Sequence, residues 1–141
     1  MGKVVIKLTS AHSNPVGLHV HADSPSFSAN TLLNCEIGSV GELGRKLKGF
    51  PKSAQEHVEF SLGIGKGKGK AEFLFHTLGN SSACELWIKL TAQVDDTGKA
   101  AEAYFAIDYL DPVSIDTFAR ELLKMGENRV KIAELKNRFE Q

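Results

Sequence analysis

The chain has 141 residues, 42% of them hydrophobic and 24% charged, which suits a single domain with one core and excludes wholesale disorder. Seventeen basic side chains balance seventeen acidic ones, so the overall charge favours neither nucleic acid nor an anionic membrane. The balance is uneven along the chain: residues 1–70 hold nine Lys/Arg and five Asp/Glu, and residues 71–141 hold eight and twelve. That permits an acidic patch built from the later elements.

The first residues, MGKVVIKLTS, contain an apolar run too short for a signal peptide, and no stretch approaches the ~18 apolar residues of a membrane span. The expected location is the cytoplasm. In that reducing compartment Cys35 and Cys84, both inside strand-like runs, are expected as free buried thiols.

Val4–Leu8 is a β-branched strand, followed by a turn over Ser10–Pro15. Val16 to Ala22 alternates apolar and polar residues, the period of a half-buried strand. Asp23-Ser24-Pro25 breaks it, and Phe27, Ala29, Thr31, Leu33 and Cys35 alternate again. Over Ser39–Leu47 the period changes to that of a helix, with Val40, Leu43 and Leu47 on one side. Ser39 and Glu42 have capping-box spacing, and Gly49 and Pro51 stop the helix.

Strands follow at Val58–Leu62 and Ala71–Leu78, joined by a Gly-Lys loop, and at Ala83–Gln93. The turn Asp95-Asp96-Thr97-Gly98 leads to Ala101–Asp108, making the clearest hairpin in the chain. Asp111 suits an N-cap and Pro112 a first helical position, with Ile115, Phe118, Leu122 and Met125 as the apolar stripe. The tail from Asn128 to Gln141 reads as a helix through Val130, Ile132, Leu135 and Phe139, with an edge strand over 129–133 as the alternative. The sum is one α+β domain, residues 1–141. It is mainly antiparallel sheet, with six or seven strands and two or three helices.

Candidate chemistry is sparse. His19 and His21 share a strand face at metal-ligand spacing, and His12 or His76 could join them. A metal needs three or four converging ligands, so solvated histidines are the plainer reading, and no metal or cofactor is expected. Gly63-x-Gly65-x-Gly67-x-Gly69 with Lys66, Lys68 and Lys70 resembles a phosphate cradle, but a strand follows where a helix N-terminus is needed. A solvated hairpin loop is the better reading. There is no Gly-x-Ser-x-Gly nucleophile, and Asp95 and Asp96 are better explained by turn chemistry than by acid–base catalysis.

The hairpin offers more. If Leu86, Ile88 and Leu90 face the core, Glu85, Trp87 and Lys89 face outward. If Ala103, Phe105 and Ile107 face inward, Glu102, Tyr104 and Asp108 face out. Aromatic residues among charges have the composition of a binding hot spot.

The order of these elements resembles a known family. A short helix ends near Phe50-Pro51. The Phe60-Ser-Leu62-Gly63, Ala71–Leu78 and Glu85–Leu90 strands follow. Then come the Gly98 turn, the Tyr104-Phe105-x-Ile-Asp108 strand and the Phe118…Leu122-Leu123 helix. Over roughly residues 27–125 this is similar to WapI-type immunity proteins of bacterial polymorphic toxin and contact-dependent inhibition systems. Where an Asp-Gln pair would precede the last helix, this chain has Asp108-Tyr109. The resemblance implies a small cytoplasmic antitoxin rather than an enzyme. Such a protein binds a cognate toxin domain, often a nuclease, and touches neither nucleic acid nor membrane itself. The residues expected at such an interface are Trp87 and Tyr104 as anchors, with Glu85, Glu102, Asp95 and Asp96 around them. Two alternatives stand beside this reading: a metal- or ligand-dependent enzyme using His19 and His21, and a self-associating module using exposed strand edges.

Overall fold

A computed structural model describes residues 2–65, 68–79 and 83–136. Among the described residues, eight strands form two antiparallel four-stranded sheets, and two helices join one sheet to the other. The first sheet has the order β3-β2-β1-β8, from β1 (Lys3–Ser10), β2 (Val16–Asp23), β3 (Ser28–Cys35) and β8 (Ile132–Lys136). The second has the order β4-β5-β6-β7, from β4 (His57–Leu62), β5 (Lys70–Thr77), β6 (Cys84–Thr91) and β7 (Glu102–Leu110). Helix α1 (Ile37–Leu47) leads from β3 to β4, and α2 (Pro112–Gly126) leads from β7 to β8.

Period-two alternation places the core. Ile6 pairs with Val20 and Ala133, and Leu18 pairs with Leu33, all buried on one side of the first sheet. Phe73 pairs with Ile88, which pairs with Phe105, and Phe75 pairs with Leu86, all buried in the second. Phe73, Phe75, Phe118, Leu43 and Leu47 are among the largest fully buried side chains, so helices and sheets share a single core.

Strand β3 lies across one end of the second sheet. Phe27, just before β3, stacks on Phe105 of β7 with ring centroids 6.0 Å apart. The Thr31 hydroxyl donates to the Thr91 carbonyl at the end of β6 (2.9 Å). The Ile64 amide, beyond β4, donates to the Asn34 carbonyl (2.9 Å). Between those points Gly69 passes so close that a Cβ there would overlap the Leu32 carbonyl oxygen and lie 2.9 Å from Thr31 Oγ1. A second close approach joins the helices: a Cβ on Gly126 of α2 would lie 2.9 Å from the Gly41 Cα of α1. Both positions therefore require glycine for its size.

The helix ends differ in how far they follow expectation. Asp111 caps α2 as its spacing predicts, accepting from the Ser114 amide (3.3 Å) and hydroxyl (2.5 Å). The capping box of α1 does not form. The helix begins two residues before Ser39, its N-cap is Glu36 without a side-chain bond, and Glu42 instead pairs with Arg45 at 3.3 Å. The helical reading of the tail is corrected too, in favour of the edge-strand alternative, which lies a few residues later than 129–133. Residues 132–136 are β8, paired with β1 through Val4–Leu135 and Ile6–Ala133. Ala133 and Leu135 are buried at period two, and the α2 side chain of Glu121 accepts from the Glu134 amide (3.0 Å) on the strand's other edge. That edge bond and the pairing with β1 override the helical spacing. Phe139 lies outside the described residues.

No helix among the described residues is long and apolar enough to cross a membrane. Cys35 and Cys84 are free and buried.

Candidate partner-binding face

The outer face of the second sheet is built by register. Each strand turns alternate side chains away from the core, and antiparallel pairing aligns them in rows. One row runs Glu59–Leu74–Trp87–Ala106, the next Ser61–Glu72–Lys89–Tyr104, and a third begins His57–His76–Glu85. The aromatic pair is diagonal: Trp87 lies opposite Ala106 and Tyr104 opposite Lys89, with ring centroids 5.2 Å apart and planes inclined by 43°. Such tilted contacts are favourable for aromatic rings. Trp87 is half-buried and Tyr104 is 65% exposed.

Glu59, Glu72, Glu85, Glu102 and Asp108 project from this face, against Lys70 and Lys89. Lys89 pairs with Glu102 at 3.7 Å and Lys70 with Glu72 at 3.6 Å. These are exposed ion pairs of small energetic weight. The carboxylates they leave give the face its negative sign. A shallow depression of about 310 Å³ lies between Glu59, Phe60, Ser61, Glu72, Lys89 and Tyr104.

Glu85 is the most engaged of these carboxylates. Its Oε1 accepts from Trp87 Nε1 and is in contact with His76 Nε2, both at 2.8 Å. Burial pushes its carboxyl above the usual range, and its hydrogen bond to Asp108 adds to the rise, while the Trp87 and His76 bonds oppose it. Glu85 thus orients the indole that the sequence marks as an anchor.

The expected site residues separate into two groups. Glu85, Trp87, Glu102 and Tyr104 do share one face. Asp95 and Asp96 sit in the β6–β7 turn, beyond the Thr91–Glu102 pair and away from the aromatic rings in register. The Asp95 carboxylate is occupied there, accepting from the Thr97 hydroxyl (2.6 Å), the Thr97 amide (2.9 Å) and the Lys99 amide (3.0 Å). These bonds hold its carboxyl below the usual range. Glu59 and Glu72 were not marked by sequence reasoning. Both alternate with buried residues, so the signal was present, but only strand register brings them beside Tyr104.

His19 and His21 lie on the outer face of the other sheet. His19 contacts Asn30 Oδ1 at 3.4 Å, and His21 pairs with Asp23 at 3.0 Å. His76 belongs to the second sheet and is engaged with Glu85. Among the described residues no three His, Cys, Asp or Glu side chains converge as a metal site. The Gly-Lys loop is explained by backbone geometry: Gly63 and Gly65 have φ of 129° and 95°, and Gly69 lies under β3. Lys66 and Gly67 lie outside the described residues. The chain matches no protein-family model and no curated protein sequence.

Proposed function

We propose that this chain is a binding protein of the immunity type, which neutralises a cognate bacterial toxin domain by laying the outer face of β4–β7 over its active site. One observation carries the reading. An open sheet face sets a contacting Trp87–Tyr104 pair among five carboxylates and two lysines. Aromatic anchors amid charge are the usual composition of an interface hot spot. The negative sign suits a basic, nucleic-acid-cleaving toxin, since complementary charge speeds encounter. The element order similar to WapI-type immunity proteins supports the same reading, and the protein would act in the cytoplasm without a cofactor.

The test is affinity capture from the native host with the tagged chain as bait, read by mass spectrometry. The expected result is one secreted toxin, or its carboxy-terminal domain, at one-to-one stoichiometry. Recovery of the bait alone, with the protein folded and the toxin expressed, would contradict the proposal.

A further inference from the structure

The first sheet ends in β3 on one side and β8 on the other, and the two edges are closed in different ways. An outer strand leaves every second pair of N–H and C=O groups outside the ladder, and such a row pairs readily with another chain. At β3 the second sheet fills that place. The Asn34 carbonyl accepts from the Ile64 amide, and Gly69 passes against the Leu32 carbonyl. Among the described residues no strand does the same for β8.

Register fixes which groups of β8 face away from β1. The Leu8 amide donates to the Lys131 carbonyl (2.8 Å), and the same register sets Lys7 against Ile132, Val5 against Glu134 and Lys3 against Lys136. Ladder bonds alternate along an antiparallel pair. Ala133 and Leu135 therefore bond to β1, while Ile132, Glu134 and Lys136 turn their backbone groups outward. Glu121 of α2 meets the middle one of these. Its Oε1 accepts from the Glu134 amide at 3.0 Å, where the carbonyl of a neighbouring strand would stand. A carboxylate makes the stronger, charge-assisted form of that bond. Beside it a cleft of about 250 Å³ lies between Val113, Ser114, Thr117, Glu121, Glu134 and Lys136.

We propose that Glu121 is a latch closing the β8 edge, and that this edge, once unlatched, pairs with β8 of a second copy of the chain. A second copy fits because the edge is complementary to itself. Outward N–H and C=O groups at every second residue match those of an antiparallel copy. Glu134 and Lys136 project on the same side of the strand and pair at 3.5 Å within the chain. In the antiparallel arrangement Glu134 stands opposite the second copy's Lys136, and Lys136 opposite the second copy's Glu134. Opposite charges directly across a strand pair are favourable, whereas setting Glu134 against Glu134 would oppose like charges. The charges therefore select the register. Glu121 competes with this pairing at its key donor: the Glu134 amide serves either the carboxylate of its own chain or the second copy's Lys136 carbonyl. The internal acceptor is present at the site at every protein concentration, so it wins when the protein is dilute.

The test is the mass of the whole chain in solution, by sedimentation from micromolar to millimolar concentration, with circular dichroism to check the fold of each variant. Glu121→Ala removes the acceptor and should raise the mass towards that of a dimer with concentration, beyond any change in the wild type. Glu121→Gln keeps an acceptor oxygen and should follow the wild type. Glu121→Ala combined with Glu134→Pro should also return to wild-type behaviour. Proline has no N–H to offer the second copy, and the amide lost at this position makes no bond to β1. At the lowest concentration, hydrogen exchange of the Glu134 amide should quicken about fivefold in Glu121→Ala, the equivalent of one hydrogen bond, and stay unchanged in Glu121→Gln.

Equal mass curves for the wild type and Glu121→Ala would overturn the proposal. A gain in mass that survives Glu134→Pro would do so too, because it would arise elsewhere than at the β8 edge. Unchanged exchange at Glu134 would remove the latch itself. The β8 edge belongs to the first sheet and the docking face proposed above to the second, so the two readings fail separately: sedimentation uses the chain alone, and its outcome leaves toxin binding untouched.

Discussion

Replacing Gly69 by alanine probes the place where the two sheets are joined. The added Cβ would overlap the Leu32 carbonyl oxygen and sit 2.9 Å from Thr31 Oγ1. Overpacking costs about 1–3 kcal/mol where neighbours can give. Here the nearest neighbour is backbone within a strand, which places the cost near the upper end. Moving β3 away also strains the Thr31–Thr91 hydrogen bond, worth roughly 1 kcal/mol. Alanine restricts the unfolded chain more than glycine does, offsetting about 0.4–1 kcal/mol. The net expectation is a loss of about 3 kcal/mol. With a urea m-value of about 2 kcal/mol/M, the unfolding midpoint should fall by about 1.5 M without a change of slope. Gly38→Ala is the internal control. It lies in the first turn of α1, where an added Cβ meets nothing within 4 Å. It should raise stability by about 0.5 kcal/mol, because only propensity and unfolded-state entropy change. If both substitutions moved the midpoint equally, the crossing of β3 over Gly69 would be refuted.

Three further outcomes follow from the same contacts. Cys35 and Cys84 are 1% and 0% exposed, and burial, with the nearby Glu36 and Asp111 charges, pushes each thiol up to about 11. Neither should react with a chromogenic disulfide reagent in the native protein at neutral pH, and both should react on unfolding. Reaction in the folded state would contradict their burial. Asp95 is held below its usual range by the Thr97 and Lys99 bonds, so its contribution to stability is present above the ordinary aspartate range and is lost as pH falls through the lowered value. Asp95→Ala should therefore lower stability near neutrality and converge with wild type in acid, measured by urea unfolding across pH. Removing the cap with Asp111→Ala should cost about 1 kcal/mol, read as a drop in the urea midpoint; no change would mean that the Ser114 bonds contribute nothing.

The hairpin of β6 and β7 was legible because both strands alternate strictly and Gly98 supplies the positive φ of 80° that its turn needs. Helix α2 was legible from Asp111-Pro112 and a stripe at helical spacing. Strand β8 was legible only as the alternative edge strand over 129–133, because its inward residues include Ala133, which carries little weight in a hydrophobic pattern. The outward Ile132 at 49% exposure meanwhile mimics a helical position. The division into two sheets was also hidden. Alternation tells which side of a strand is buried, not which sheet it joins, and that choice rests on contacts such as Thr31–Thr91 between distant residues. The candidate site was half visible for the same reason. Glu85, Trp87, Glu102 and Tyr104 belong to one hairpin, whereas Glu59 and Glu72 join them through pairing with β4 and β5. Asp108 was assigned to the outward side, but its approach to Glu85 depends on a bulge that alternation does not announce.

The central claim is that a toxin domain docks on the outer face of β4–β7, and the most direct test compares captured-complex affinity for substitutions on the two sheet faces. Trp87→Ala and Tyr104→Ala should each weaken binding by about 2 kcal/mol or more while circular dichroism stays native. His19→Ala combined with His21→Ala, on the opposite sheet, should leave affinity unchanged. Unchanged binding in both aromatic variants, or a loss confined to the His19 and His21 variant, would contradict the account.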